Sequence, residues 1–407
     1  MPVHIEPFEV VLPGGGAEGC GRGLARLLTS LLDRCRLPAS AEAGVRGRVS
    51  ATEGWHAEIS TVVGAGPGSR RAFEAEFPLG HHLLCRMLEF TAATAGREEV
   101  PSPVLAVLED YATAAPAALV ACWQALGSEG EAARRAWQRA FELDPAMTAP
   151  RVALARQALQ AGQAASAAGL LTGIAVRDAE AARDLGLELW TAGETAAAGA
   201  LLQQAVTSDA EDAVALAALA AWLARHAGHE PTARDEALLL ATQATQRASD
   251  DYRTWAALAD VHRAAADYAQ ANFYYGFALK LAPEAPALLK DAAATLLMAG
   301  QPAAALPLIE RALAAAAGDA DHHGNLAFAR HLLGQPAAAL AAARRAAQLR
   351  PQDARLRVLE GDLALAAGER EAALDAWAHA TELDPSVTLN PAGGNLAPPA
   401  PATDLAP

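Results

Sequence analysis

Three prolines set a beat along the chain. Pro283, Pro351 and Pro385 lie 68 and 34 residues apart, and the runs before them are alike: Leu279-Lys-Leu-Ala-Pro283, Gln348-Leu-Arg-Pro351 and Thr381-Glu-Leu-Asp-Pro385. Phe141-Glu-Leu-Asp-Pro145 is an earlier copy. Proline cannot continue a helix, so each run reads as a helix stop. Gly300, Gly334 and Gly368 share the 34-residue spacing, and Gly162 and Gly193 play the same part upstream. Each glycine splits a helical stretch into two pieces of about a dozen residues, the pattern of two antiparallel helices joined by a left-handed cap. A period of this length means stacked supersecondary units rather than one compact core.

Two columns of small residues run through the second helix of each unit. The first reads Ala133, Ala167, Ala198, Ala237, Ala271, Ala305, Ala339 and Ala373, and the second reads Ala140, Ile174, Ala205, Ala244, Ala278, Ala312, Ala346 and Ala380. Small side chains there let helices cross at close range. Trp137, Leu171, Leu202, Tyr275, Ile309 and Trp377 fill a larger position between the columns, where Ala241 and Ala343 predict looser packing.

On these residues the chain resembles the tetratricopeptide repeat (TPR) family. The fullest copy is residues 252–285, with Trp255, Leu258, Ala259, Ala271, Tyr275, Ala278 and Pro283 at the family's positions. His262 stands where the family prefers Tyr. The resemblance implies a mainly α protein, a TPR-type α-α superhelical solenoid of about eight helical hairpins over roughly residues 113–386, preceded by a small α+β domain. The third unit is short, and the fourth carries an insertion near His226–Asp235.

Residues 1–100 follow another rhythm. Val3–Val11, Val45–Ser50, Trp55–Val63 and Arg71–Phe77 read as strands, Leu24–Cys35 and Leu79–Ala95 as helices, and Gly14–Gly23 as a turn, giving β-α-β-β-β-α. Glu6-Pro-Phe8, Arg46-Gly-Arg-Val49 and Phe73-Glu-Ala-Glu-Phe77 weakly resemble TolB-amino-terminal-like domains that precede TPR arrays. The expected organisation is a small α+β domain at 1–100, the solenoid at 101–386 and a disordered Pro/Ala-rich tail at 387–407.

Composition narrows the chemistry. The formal net charge is −15, which disfavours nucleic acid. None of the four cysteines forms a C-x-x-C pair, consistent with reduced thiols in the cytoplasm. There is no secretory signal and no apolar run that predicts membrane insertion. Gly14-Gly-Gly-Ala-Glu-Gly19 fits G-x-G-x-x-G, but Pro13 and the hairpins that follow favour a mobile turn over a dinucleotide site. The pairs His81-His82 and His322-His323 point about 100° apart on a helix, cannot chelate together, and read as surface histidines. No metal set, cofactor motif or catalytic grouping emerges, so no enzyme is expected.

Binding is left, and the TPR resemblance implies where: on the concave face lined by first-helix side chains. Those are Arg253, Asp260, Arg263, Lys290, Asp291, Asn325, Phe328, His331, Arg355 and Asp362, which would hold a protein or peptide segment by Arg and Asn hydrogen bonds around an apolar anchor at Phe328. Tyr268, Phe273, Tyr274, Tyr275 and Phe277 form a second aromatic group, with Tyr275 in the core. The alternative reading is a regulatory sensor whose α+β domain binds a small ligand or nucleotide and signals through the repeats.

Overall fold

The computed structural model describes residues 4–5, 7–11, 19–34, 43–51, 55–63, 69–75, 80–94, 99–113, 115–226 and 230–389. The phosphate-loop-like stretch up to residue 18, His81's side chain and residues 390–407 of the expected tail fall outside them. Contacts divide the chain into two compact units, Met1–Ala210 and Glu211–Pro407.

The first unit opens with a sheet. Strands β3 (Ala43–Ala51) and β4 (Trp55–Val63) pair antiparallel over their full length, from Ala43 opposite Val63 to Ala51 opposite Trp55, and β5 (Ser69–Ala75) adds antiparallel to β4. The expected first strand is broken. Its pieces, β1 (His4–Ile5) and β2 (Glu9–Val11), both run parallel to β3 along the same edge. Pro7, which lacks an N–H for the ladder, lies in the gap. Helices α1 (Cys20–Arg34) and α2 (Gly80–Thr94) complete the order expected from the sequence. Val45, Val49 and Ala57 of the sheet share one core with Leu24, Leu28 and Leu31 of α1 and with Leu84, Met87 and Leu88 of α2.

That core does not stop at residue 100. After α3 (Ser102–Ala106) and a 3-10 turn at Val107–Tyr111, the first three hairpins follow: α4 (Pro116–Leu126) with α5 (Gly130–Leu143), α6 (Thr148–Gln160) with α7 (Ala164–Leu171), and α8 (Ala179–Thr191) with α9 (Thr195–Ser208). Trp123, Trp137 and Met147 belong to the same cluster as the sheet. The change at 100 is therefore one of secondary structure, not of packing.

Glycine makes the junction. The stretch expected to be a turn up to Gly23 is already helical from Cys20, because α1 meets its neighbours backbone to backbone. A Cβ on Gly23 would sit 1.8 Å from the Trp123 carbonyl oxygen of α4, and one on Gly21 would sit 1.8 Å from that of Phe8. The Arg22 Nε then donates to the Gly127 carbonyl at 3.2 Å and the Arg26 Nη1 to that of Leu126 at 2.9 Å. These cations satisfy the open carbonyl end of α4.

Helix α7 ends early, beside Gly173 at φ +73°. The chain that follows is held by side chains. Gln204 accepts from the Val176 N–H and donates to the Ile174 carbonyl, and the buried Asp110 carboxylate accepts from the N–H groups of Arg177 and Asp178. Burial pushes Asp110 up to about 7, against the pull of those two backbone donors.

The second unit holds the other five hairpins: α10 (Ala213–His226) with α11 (Pro231–Arg247), α12 (Tyr252–Ala264) with α13 (Tyr268–Leu281), α14 (Pro286–Met298) with α15 (Pro302–Ala315), α16 (Ala320–Leu332) with α17 (Pro336–Leu349), and α18 (Ala354–Ala366) with α19 (Arg370–Leu383). The alanine columns are where the sequence places them. Ala167, Ala198, Ala237, Ala271, Ala305, Ala339 and Ala373 are fully buried, and only Ala133 keeps partial exposure. Ala241 and Ala343 are fully buried as well.

Each hairpin turn is built alike. Gly162, Gly193, Gly300, Gly334 and Gly368 all have φ between +70° and +89°. The residue after each glycine donates its N–H back to a carbonyl five residues earlier, as Gln301 does to Leu296 and Glu369 to Ala364. This is the Schellman closure, which needs the left-handed conformation. In the α12–α13 turn Ala266 takes that conformation instead, at φ +58°. First helices begin with a matching device: Asp178, Asp251, Asp319 and Asp353 each cap their helix by accepting a backbone N–H, and Asp212 does the same from Val214 and Ala215.

Two substitutions test this account. Ala266→Gly relieves the left-handed Ala and is expected to raise stability by about 0.5–1 kcal/mol. Gly23→Ala drives a methyl into a carbonyl and is expected to cost about 3 kcal/mol. Urea denaturation followed by circular dichroism reads both.

Candidate partner-binding face of the second unit

First helices of the second unit lie side by side, α10 on α12, α14 on α16 and α16 on α18. Their side chains form two ion networks. In the first, Arg225 near the end of α10 uses its Nη2 to reach Asp260 of α12 at 2.9 Å and Asp291 of α14 at 3.0 Å. Arg263 binds the other oxygen of Asp260 at 2.8 Å, and the Tyr275 hydroxyl of α13 donates to that same oxygen. Burial alone would raise the Asp260 pKa, but the two arginines and the hydroxyl outweigh it and hold the group at about 2. Burial, and then the Asp260 charge, drive the Tyr275 phenol well above its ordinary value, so it stays a neutral donor.

The second network lies at the starts of the later first helices. Lys290 of α14 is 3.7 Å from Asp321 of α16. Arg350, just after α17, meets Asp321 closely and reaches Asp319 at 3.7 Å and Asp353 at 3.5 Å. Arg355 of α18 returns to Asp353 at 3.3 Å. Opposite charges thus link α14, α16, α17 and α18 in one chain of contacts.

The ten residues expected on this face divide into three groups. Arg253, Lys290, His331, Arg355 and Asp362 keep side-chain surface. Of these, Arg253 folds back on its own cap, Asp251, at 2.6 Å, and Asp362 accepts from the Trp377 indole at 3.0 Å. Burial lowers the His331 pKa and raises that of Asp362, the latter against the pull of the indole N–H. Asp260, Arg263 and Asp291 are committed to the first network. Asn325 and Phe328 are buried. Phe328 is 3% exposed and packs with Leu326, Leu340 and Leu359, so the apolar anchor expected there is part of the core. The face is polar where a visitor could touch it.

Arg225 is absent from the sequence-derived set because the fourth unit is longer. Asp212 precedes Asp251 by 39 residues, where Asp319 precedes Asp353 by 34, so a fixed period misplaces α10. Anchoring each unit on its capping aspartate would have recovered the register.

His322 is a second correction. Expected on the surface, it is 2% exposed. In the aromatic group, Tyr275 is core as expected. Trp255 stacks on Phe277 and Tyr274, and Phe273 meets both at its edge while remaining 57% exposed. Among the described residues no group of three or more His, Cys, Asp or Glu side chains could hold a metal ion, and no single helix is long and apolar enough to cross a membrane.

Paired helices, small-residue seams and left-handed turns define the class: a mainly helical repeat protein with tetratricopeptide-type hairpins and a small N-terminal α+β element. No known protein family matches the chain, and no curated protein is similar to it. Similar solved structures include MamA (residue 41 to its end) from Desulfovibrio magneticus RS-1, at 23% identity over 41% of this chain and 96% of that one, with a TM-score of 0.36. YrrB matches at 20% identity over 46% and 93%, with a TM-score of 0.36. PilF from Pseudomonas aeruginosa matches at 22% identity over 51% and 93%, with a TM-score of 0.42. Nothing in these comparisons supports the resemblance of the first hundred residues to TolB-amino-terminal-like domains.

Removing the cation shared by two aspartates tests the first network. Arg225→Ala leaves Asp260 and Asp291 without their common partner and is expected to cost about 3 kcal/mol at pH 7. In the intact protein, Asp260 contributes stability above its unfolded pKa that is lost only as pH falls through about 2. Urea denaturation at pH 7 and at pH 3 checks both.

Proposed function

We propose that this chain is a non-catalytic scaffold that holds a segment of another protein along the first-helix face of its second unit. One observation carries the reading. Arg263 and Arg355, both on that face, each keep a buried guanidinium nitrogen, Nε and Nη1 respectively, with no acceptor in the chain. A guanidinium N–H aimed away from water calls for an oxygen, and peptide carbonyls and carboxylates supply them in a row. The surrounding networks hold these donors in place before the partner arrives, which lowers the ordering cost of binding. The expected setting is the cytoplasm, in keeping with the free thiols of Cys20, Cys85 and Cys122.

The test pairs a charge reversal with a folding control. The double variant Lys290→Glu, Arg355→Glu should keep the wild-type helicity and lose at least tenfold in affinity for the partner recovered by photo-crosslinking from the native cell. Undiminished binding by a fully helical double variant would remove this face from the interaction.

A cavity favours the sensor reading as a second possibility. About 430 Å³ of space lies in the first unit, lined by Arg71 of β5, by Arg86, Glu89, Phe90 and Ala93 of α2, and by Glu99 and Val100. That volume suits a small ligand. A nucleotide panel that leaves the melting temperature of the whole protein unmoved would count against it.

A further inference from the structure

The third residue after each first-helix cap points into the core. Those positions are Ala181, Ala215, Thr254, His322 and Leu356, and Leu288 is their counterpart in α14; all are buried. Most are apolar. Thr254 satisfies its hydroxyl by donating to the Ala248 and Asp251 carbonyls at 2.9 Å. His322 is different: both of its ring nitrogens are buried, and neither has a hydrogen-bond partner. Asp319 comes nearest, its Oδ2 lying 3.7 Å from Nε2, beyond hydrogen-bond range.

An imidazole in such a place costs stability relative to leucine, since a buried polar group without a partner forfeits its hydration. The cost rises further when it takes a proton. The charges around it are already occupied. Asp319 and Asp321 of α16 are both held by Arg350 at the end of α17, and Asp321 also by Lys290 of α14. His323, its neighbour on α16, meets the Ala317 carbonyl. Asp353 and Arg355 at the start of α18 pair with each other, and Arg311 of α15 turns to Glu284. A proton on His322 therefore enters a neutralised, closed lattice and has to draw Asp319 away from Arg350 to find a counter-charge.

We propose that His322 makes the α14–α16–α17 seam an acid-sensitive latch, closed while the ring is neutral and loosened when it is protonated. Burial, the largest influence, pulls the His322 pKa below its ordinary value, and the two aspartates only partly oppose this. The sign follows. The unfolded chain takes up the proton more readily than the folded one, so stability is complete above pH 6.5 and falls as the pH drops below it. The latch stands independently of the scaffold reading, since it concerns packing alone.

Thermal denaturation of the full chain at pH 7.5, 6.5 and 5.5 tests it, beside His322→Leu, the residue that α14 and α18 carry at this position. The wild-type melting temperature should fall on acidification, and the variant's should fall by less than half as much. Equal losses would overturn the proposal. Should His322→Leu fail to fold, His322→Thr takes its place. Titration of carbon-13-labelled histidine by NMR gives a reading on the native ring: a His322 signal titrating below pH 6.5 supports the latch, and one titrating above 6.5 overturns it.

Discussion

Helices in this protein lie as close as their backbones allow, and that closeness depends on the near absence of side-chain volume where they cross. In the hairpins the crossing residue is alanine, as at Ala198, Ala271 and Ala339, each fully buried. Between α1 and α4 it is glycine, since even a methyl on Gly23 would overlap a carbonyl oxygen. Gly361 works the same way, leaving room for the Trp377 ring, which a Cβ would approach to 2.5 Å. Many small contacts then replace a few large ones, because dispersion adds up with the number of atoms at close range. An aromatic content of 5% is enough for such a core.

Close backbones leave little room for charge, yet the second unit places several charges between its helices. Desolvating an ion is costly, and pairing repays it only when the geometry is good. The Asp260 site meets that condition with two guanidinium groups and a phenol around one carboxylate. Its members come from α10, α12, α13 and α14, so the network relates three successive hairpins to one another. Polar groups that would otherwise face a partner are thereby fixed in direction. What remains for contact is the outer part of the second ion chain, around Lys290 and Arg355.

The first unit solves a different problem, joining a sheet to a helical stack. Glycine contacts and the Arg22 and Arg26 caps bind α1 to α4, while Asp110 and Gln204 collect the backbone groups that the short α7 leaves open. Each device replaces a hydrogen bond that regular structure fails to supply, as buried backbone requires.

Period and composition were enough to place the hairpins, because a left-handed turn wants glycine, a helix stop wants proline and a tight crossing wants alanine, each at one position in 34. The order of strands and helices before them was legible in the same way, from alternation and turn residues. The site was legible only in part. Asp260, Arg263, Asp291, Lys290 and Arg355 do face the neighbouring first helices, but their partners come from other hairpins, and no local pattern specifies a partner 30 or 60 residues away. Phe328 and His322 went inward because a helix has no surface of its own; which stripe meets water depends on what packs against it. Arg225 joined the network across an irregular spacer that a fixed period cannot count. Local backbone preference, then, was written in the sequence alone, while burial and charge pairing were settled only when the helices met, since both depend on neighbours distant along the chain.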